Sequence, residues 1–202
     1  MKIGPKYKIA RRLGAPIFEK TQSQKYALSL SRKEKNGKVP QRPKSEFGRQ
    51  LVEKQKARFS YGISEKQFAK YVKEALRSDE PLQKLFQSLE LRLDNILYRS
   101  GFAKTRAQGR QIAAHGHVVI NGKRVTIPSI KLAQNSILSV RGGSSQSPLF
   151  GEVEERMNTV TVPSWIVVNA AKKEATVVGL PVYVPSENIF DLNVVLEFYS
   201  RS

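Results

Sequence analysis

The spacing of the hydrophobic residues changes near residue 116, and this change limits the folds open to the chain. Before it, stretches such as residues 68–76 carry apolar side chains every three or four positions, which is the period of an amphipathic helix. After it come short β-branched runs, the first two separated by Asn121-Gly122, a dipeptide typical of a tight β-hairpin turn. The sequence therefore predicts an α+β fold with helices in its first half and a sheet in its second.

Helix starts can be placed from residues that cap or open a first turn. Four are predicted, at Ser45, Ser64, Pro81 and Thr105. The apolar stripe after Pro81 indicates either one long helix or two helices with a bend before Gly101. Gly109 lies inside the helix after Thr105, where glycine costs about 1 kcal/mol relative to Ala, and it would permit another backbone to approach closely.

The remaining segments have weaker signals. Strands are predicted over residues 118–125 (as a hairpin), 137–140, 159–162, 165–168 and 175–178. The end of the chain, residues 187–200, has both helical spacing and strand-forming residues, and it is assigned to a helix. Residues 1–43 show little periodicity, and NGKVPQRPKS at 36–45 is expected to be an extended loop.

The charge is large and unevenly distributed. The formal net charge is +18. Residues 1–60 carry 17 basic and 4 acidic side chains, residues 61–90 carry 5 of each, residues 91–141 carry 9 and 1, and residues 142–202 carry 4 and 7. A surplus of this size repels itself unless a polyanion neutralises it. Two basic blocks separated by a neutral one predict two RNA-facing surfaces on a neutral framework.

Several classes of protein are disfavoured by what the sequence lacks. The chain has no Cys and two His, His115 and His117, so disulfides and thiolate metal sites are excluded and neither a metal site nor a cofactor is expected. No run approaches the roughly 20 apolar residues of a membrane span. No apolar signal core opens the chain, so secretion is not expected.

No set of residues with catalytic spacing is found, and the chain is not expected to be an enzyme. One string needs a separate interpretation, because Arg92-Leu93-Asp94 followed by Gly101 partly resembles the region of pseudouridine synthases in which an Asp is the nucleophile. Here Asp94 lies on a helical stripe between Arg92 and Arg99 and is interpreted as an ion-pair partner. Asp94→Asn is therefore expected to leave RNA binding largely intact.

Residues 92–124 combine a short basic helix with a basic hairpin. Arg106 and Arg110 are four positions apart and share one face of the helix, with no acid expected close to that face. Lys123 and Arg124 follow the hairpin turn directly. Cations in this arrangement can hold the backbone of a folded RNA by its shape and phosphate positions.

Residues 92–125, RLDNILYRSGFAKTRAQGRQIAAHGHVVINGKRV, resemble the small RNA-binding domain named after ribosomal protein four of the small subunit. That domain also occurs in some pseudouridine synthases and tyrosyl-tRNA synthetases. GPKYKIARRLG at the start, KSEFGRQLVEKQKARFSYGISEKQF in the middle and VVLEFYSR at the end are similar to the ribosomal protein family itself. The resemblance thus covers nearly the whole chain, in order.

The resemblance implies a mostly helical domain with an inserted small RNA-binding domain in which two helices pack on an antiparallel sheet. We expect a basic N-terminal extension over residues 1–45. The helical domain would comprise 46–91 with 186–202, and the inserted domain 92–185, with the small RNA-binding module at 92–141. Tyr7 stands where many relatives have the first cysteine of a zinc cluster, so a zinc-free form is expected. Gly109 replaces a usual Ala.

In function, the resemblance implies a structural protein that binds small-subunit ribosomal RNA directly and early in assembly, at a junction in the 5′ domain. It also implies contact with ribosomal protein five of the small subunit, a position beside the channel through which messenger RNA enters, and a contribution to decoding accuracy. The ribosome would be in the plastid stroma or the bacterial cytoplasm, with the plastid slightly preferred. An RNA-modifying enzyme and a free regulatory RNA-binding protein are the alternatives.

Matching the family position by position gives the expected RNA-binding residues. They are Lys6, Lys8, Arg11 and Arg12 near the start, Arg49, Lys54, Lys56, Arg58 and Tyr61 in the middle, and Arg92, Lys104, Thr105, Arg106, Arg110, Asn121, Lys123 and Arg124 in the inserted domain.

Overall fold

The computed structural model of the chain describes residues 3–35 and 45–200. It forms two compact units, one comprising residues up to Leu85 together with those from Tyr183 onward, and the other comprising Phe86–Val182. The α+β class is confirmed. The loop expected at residues 36–44 lies outside the described residues.

The helices are α1 (Lys6–Leu13), α2 (Gln24–Lys35), α3 (Glu46–Tyr61), α4 (Glu65–Ala75), α5 (Pro81–Glu90), α6 (Leu93–Arg99), α7 (Arg106–Ala114), α8 (Val153–Thr159) and α9 (Leu192–Ser200). The strands are β1 (Val118–Ile120), β2 (Lys123–Arg124), β3 (Ile137–Val140), β4 (Ile166–Asn169) and β5 (Glu174–Val177).

The predicted helix starts are confirmed. Ser45, Ser64 and Thr105 each accept a hydrogen bond from the backbone N–H three residues later, which satisfies one of the donors left open at a helix start. Pro81 is the first residue of α5. The stripe that follows it forms two helices, because α5 ends at Glu90 and α6 begins at Leu93. The C-terminal helix is also confirmed.

The expectation of little regular structure before residue 43 is wrong for the described part of that segment, which contains α1 and α2. In α1, Ala10 and Leu13 are buried at helical spacing. Ala10 packs with Phe18 and Tyr26, and Tyr26 lies in α2. Both helices carry apolar residues, but they are too short to be stable alone, and their stability comes from contacts with other elements.

In the first unit, the C-terminal helix α9 packs against α3. The Phe47 and Phe198 rings lie 5.4 Å apart. The start of α9 is fixed by the hydroxyl of Tyr183, which donates to the Phe190 carbonyl and accepts the Leu192 N–H, both at 3.1 Å. Burial raises the pKa of Tyr183, so the hydroxyl keeps the proton that it donates.

A polar cluster at the surface, in which only Lys54 is buried, ties α9 to α3 and α4. Lys54 Nζ donates to Glu65 Oε1 at 2.8 Å, and the Tyr199 hydroxyl donates to the same oxygen at 2.6 Å. Although partial burial opposes ionisation, the hydrogen bonds from Lys54 and Tyr199 lower the pKa of Glu65. Burial and the Glu65 carboxylate raise the pKa of Tyr199. Lys54 is therefore engaged inside the fold and is not presented to a ligand.

In the second unit, five antiparallel strands form a sheet in the order β2-β1-β3-β5-β4. Asn121 and Gly122 join β1 to β2 with φ angles of 48° and 78°, which confirms the predicted hairpin and its turn. Side chains of α6, α7 and α8 pack with those of the sheet in one hydrophobic core, for example Leu97, Ile112, Met157 and Leu138.

The strand predicted over residues 159–162 is wrong. This segment begins with the last residue of α8 and continues without a strand. Val153 and Met157, four positions apart, are buried in the core and fix α8 as a helix. The β-branched residues that follow have no neighbouring strand to pair with, which shows how strongly strand formation depends on context.

Candidate nucleic-acid interface

The predicted basic module is built on a close pairing of α6 with α7. Thr105 Oγ1 accepts the Gln108 N–H at 2.9 Å and so caps the start of α7. Gln108 Oε1 accepts the N–H of Lys104, the residue before the cap, at 2.7 Å. At Gly109, a Cβ atom would lie 2.5 Å from the Asp94 carbonyl oxygen. The absence of a side chain there lets the two helix backbones approach closely.

Arg110 is held by an acid from the neighbouring helix. Its Nε and Nη2 donate to Asp94 Oδ2 at 2.9 and 2.7 Å, and 27% of its side chain remains exposed. The expectation that no acid lies close to this face of α7 is therefore wrong. The reason is that the acid lies on α6, and only the packing of the two helices brings it there.

Arg106 is also held by α6. Its Nε donates to Asn95 Oδ1 at 2.7 Å, and its guanidinium lies 4.6 Å from the centre of the Tyr98 ring. The two arginines are therefore positioned by different groups of one helix, a carboxylate for Arg110 and an amide beside an aromatic ring for Arg106.

The interpretation of Asp94 as an ion-pair partner is confirmed, although its partners are Arg92 and Arg110, and Arg99 pairs with Glu90. Asp94 is 2% exposed, and both of its oxygens accept hydrogen bonds from Arg92. A carboxylate held in this way is not presented to a substrate as a nucleophile. Arg92, 4% exposed, belongs to the interior and not to the surface that RNA could reach.

The remaining expected residues of this unit lie nearer the solvent. Lys123 and Arg124 are exposed on the edge strand β2, and Arg124 donates to the His115 carbonyl at 3.4 Å. Lys104 is exposed but pairs with Glu152 at 2.7 Å, a contact that lowers the pKa of Glu152. The side chains of Thr105 and Asn121 serve the fold, since Asn121 Oδ1 accepts the Ile137 N–H at 2.8 Å.

Two histidines lie beside the hairpin. The His115 and His117 rings stack with centroids 5.9 Å apart, and His117 Nδ1 lies 3.1 Å from Ser144 Oγ. Partial burial, together with the electrostatic influence of His115, Arg141 and Arg124, lowers the pKa of His117. At neutral pH we therefore expect His117 to add no charge to this surface.

In the first unit, the expected residues of α1 divide into two groups. Lys8 and Arg12 are exposed and, four positions apart, lie on one face of the helix. Lys6 lies over the Phe18 ring at 5.7 Å, and Arg11 Nε donates to the Tyr7 carbonyl at 3.1 Å. Lys8 and Arg12 are therefore the cations of α1 best placed to reach a ligand.

The expected residues of α3 are mostly engaged within the fold. Lys54 and Tyr61 are buried. Lys56 pairs with Glu53 at 2.7 Å, and Arg58 lies 3.4 Å from Glu65 and stacks over the Phe59 ring. Arg49 is exposed.

A groove of about 520 Å³ lies in the first unit, between α3 and α9. Its charged lining consists of Glu46, Arg49, Glu53, Lys56, Asp191 and Glu197. Four acids and two bases leave it acidic, unlike the chain as a whole. Sequence order did not reveal it, because its acids come from segments more than a hundred residues apart.

Asn95 and Glu90 are the structural residues that the sequence analysis missed at the interface. Glu90, 1% exposed, accepts hydrogen bonds from Asn95 and Arg99. Glu90 and Asn95 flank Arg92-Leu93-Asp94 in the sequence, but their spacing does not show that they are buried or which arginines they hold.

Within residues 3–35 and 45–200 no group of three or more potential metal ligands is found. None of the helices described there is long and apolar enough to cross a membrane.

Comparison with known proteins identifies the class to which this fold and surface belong. Residues 91–138 match the family model of the S4 domain, and residues 1–90 match that of the ribosomal protein S4/S9 N-terminal domain. The class is that of small-subunit ribosomal proteins carrying an RNA-binding S4 domain.

Full-length relatives narrow the class to one family. Small ribosomal subunit protein uS4 of Chloroflexus aurantiacus is 39% identical over 202 residues, covering 98% of each chain. The proteins of the same name from Aquifex aeolicus and Borrelia duttonii are 39% and 38% identical, with at least 96% of each chain covered. The chain therefore belongs to the small ribosomal subunit protein uS4 family, whose members are structural proteins of the ribosome and not enzymes, and the resemblance found in the sequence is confirmed.

Proposed function

We propose that the chain binds small-subunit ribosomal RNA directly, through the S4-domain module, as an early-assembly protein of the 5′ domain. The observation that carries the proposal concerns Asp94, the only acid in residues 91–141. Because Asp94 is buried, the outside of the module presents cations with no exposed acid among its own residues. A surface of this kind attracts the phosphates of a folded RNA.

The cations that remain accessible are the proposed contacts. In the second unit they are Lys104, Arg106, Arg110, Lys123 and Arg124, and in the first unit they are Lys8 and Arg12. Arg49 is exposed as well, but it lines the acidic groove between α3 and α9 and is not counted among these contacts. We assign Lys54, Tyr61 and Arg92 supporting roles inside the fold, because their side chains are buried.

The acidic groove between α3 and α9 supports a protein contact in the first unit. Its four carboxylates repel phosphate and suit the basic side chains of a protein. We assign this groove to ribosomal protein five of the small subunit, the partner implied by the resemblance. Changes at this contact would then affect decoding accuracy.

The exposed cations of α1 suit a second RNA ligand. We assign Lys8 and Arg12 to RNA close to the channel through which messenger RNA enters the subunit. The ribosome is proposed to be that of a plastid or of the bacterial cytoplasm, with the zinc-free start of the chain favouring the plastid.

Co-sedimentation with ribosomal subunits tests the proposal against its alternatives. After a wash at moderate salt, the chain is expected to travel with small subunits at close to one copy per subunit, because a structural protein is part of every particle. A free regulatory RNA-binding protein or an RNA-modifying enzyme would be found well below one copy per subunit, and that result would overturn the proposal.

A further inference from the structure

We propose that Asp94 and Asn95 are positioning residues for RNA binding, which orient Arg110 and Arg106 for the RNA without touching it themselves. The inference rests on the proposed function, since it assumes that the two arginines contact RNA. It goes beyond that function because it assigns Asp94 a favourable role in RNA binding. From its charge alone, an acid would be expected to repel phosphate and weaken binding.

Asp94 is fixed from several directions. Its backbone N–H donates to the Pro128 carbonyl at 3.0 Å, and Arg92 holds both carboxylate oxygens at 2.9 and 2.8 Å. Arg110 therefore meets a carboxylate that cannot rotate freely. The two hydrogen bonds from Arg110 to Oδ2 fix the plane of its guanidinium, while the exposed 27% of the side chain can still be reached from solvent.

Asn95 is fixed in a similar way by Glu90. Its Nδ2 donates to the Glu90 carbonyl and to Glu90 Oε2, both at 2.9 Å, which leaves Oδ1 directed at Arg106 as an acceptor. The Tyr98 ring beside the Arg106 guanidinium restricts it further. Asn95 is 1% exposed, so it is too deeply buried to contact RNA.

Holding the arginines in advance should strengthen binding. A free arginine loses the freedom of a long side chain when it is fixed against a phosphate. An arginine that is already oriented loses less, and its planar donors meet the phosphate in a defined geometry. We expect this preorganisation to contribute about tenfold in affinity for each arginine.

The positioning proposal and the change in net charge predict opposite effects of Asp94→Asn on the affinity for RNA. The substitution removes a negative charge, so electrostatic attraction alone predicts tighter binding to RNA. Positioning predicts that binding becomes about tenfold weaker, because the amide no longer holds Arg110 as the carboxylate does. This replaces the expectation drawn from the sequence, in which Asp94→Asn left binding intact.

Glu152→Gln is the matched control. It also removes one negative charge beside a cation of the same unit. The Lys104 and Glu152 side chains are 60% and 69% exposed, so this pair does little to fix the orientation of Lys104. We expect Glu152→Gln to leave the affinity unchanged or to raise it slightly. If Asp94→Asn behaves like Glu152→Gln, the proposal is overturned.

A double-mutant cycle separates positioning from a general loss of stability. If Asp94 acts through Arg110, Asp94→Asn should weaken binding in the wild-type background and have almost no further effect in an Arg110→Gln background. Affinity would be measured on the full chain with protein-free small-subunit ribosomal RNA, and folding by circular dichroism. Equal effects of Asp94→Asn in both backgrounds would contradict the proposal.

Arg110→Lys covers the case in which Asp94→Asn does not fold, because it leaves the Arg92–Asp94 pair in place. A lysine keeps the charge but lacks the planar pair of donors, so we expect about tenfold weaker binding. The slope of log affinity against log salt concentration should not change. Unchanged affinity would overturn the proposal. A wild-type chain that does not bind the RNA would overturn the proposed function itself, whereas a neutral Arg110→Gln with normal wild-type binding would overturn the inference alone.

Discussion

The affinity of the chain for small-subunit ribosomal RNA is expected to fall by roughly 10³–10⁵-fold between 50 and 200 mM monovalent salt, if six to ten phosphates are contacted. The physical reason is that each cation placed at a phosphate releases a condensed counterion, and added salt opposes that release. The net charge of +18 and the exposed cations of both units supply enough groups for such contacts.

The measurement is a plot of log affinity against log salt concentration at constant magnesium, since magnesium also folds the RNA. A steep straight line is expected. A nearly flat line would show that the cations contribute little, and it would contradict the electrostatic account of both surfaces.

Reversing two charges on the hairpin, Lys123→Glu with Arg124→Glu, is expected to weaken RNA binding by about 100-fold at moderate salt and to make the salt slope shallower by about two. Lys123 and Arg124 are exposed on an edge strand, and neither forms an ion pair within the part of the chain that the structure describes. The change therefore removes attraction to phosphate and adds repulsion while the fold stays intact.

Lys172→Glu with Lys173→Glu is the control for this pair. It makes the same change in net charge in the same unit, at the turn between β4 and β5. We expect it to weaken binding far less. If both double variants weaken binding equally, only net charge matters, and the assignment of the hairpin to the RNA-facing surface is wrong.

Charge reversal at the hairpin is more informative than charge reversal at Arg106 and Arg110 in α7. A glutamate at position 110 would face the buried carboxylate of Asp94 and would destabilise the fold as well as the complex. A loss of binding in that variant would therefore not distinguish the two causes.

Much of the fold could be predicted because its signals are local. Asn121-Gly122 needs only its own backbone angles to form the turn, and Thr105 needs only Gln108 to start α7. The α1 and α2 helices were missed because they depend on contacts such as Ala10 with Tyr26, which the sequence does not show. The strand predicted at 159–162 failed because β-branched residues favour a strand only where another strand pairs with them.

The site was predictable as a set of cations but not in its internal contacts. Charge density and the resemblance both indicated the segment from Arg92 to Arg124. They did not show that Arg92 is buried, that Arg110 pairs with Asp94, or that Lys104 pairs with Glu152. Those pairs join residues from different segments of the chain, so they follow from packing and not from spacing along the sequence.

Direct binding to protein-free RNA tests the central claim most directly. The full chain would be titrated against small-subunit and large-subunit ribosomal RNA at the same moderate salt and magnesium concentrations. We expect binding to small-subunit RNA to be at least roughly 10³-fold tighter, since specific sites exceed non-specific attraction to nucleic acid by about that factor or more. Equal affinity for the two RNAs would contradict specific recognition of the small-subunit RNA and leave only non-specific attraction between a basic protein and phosphate.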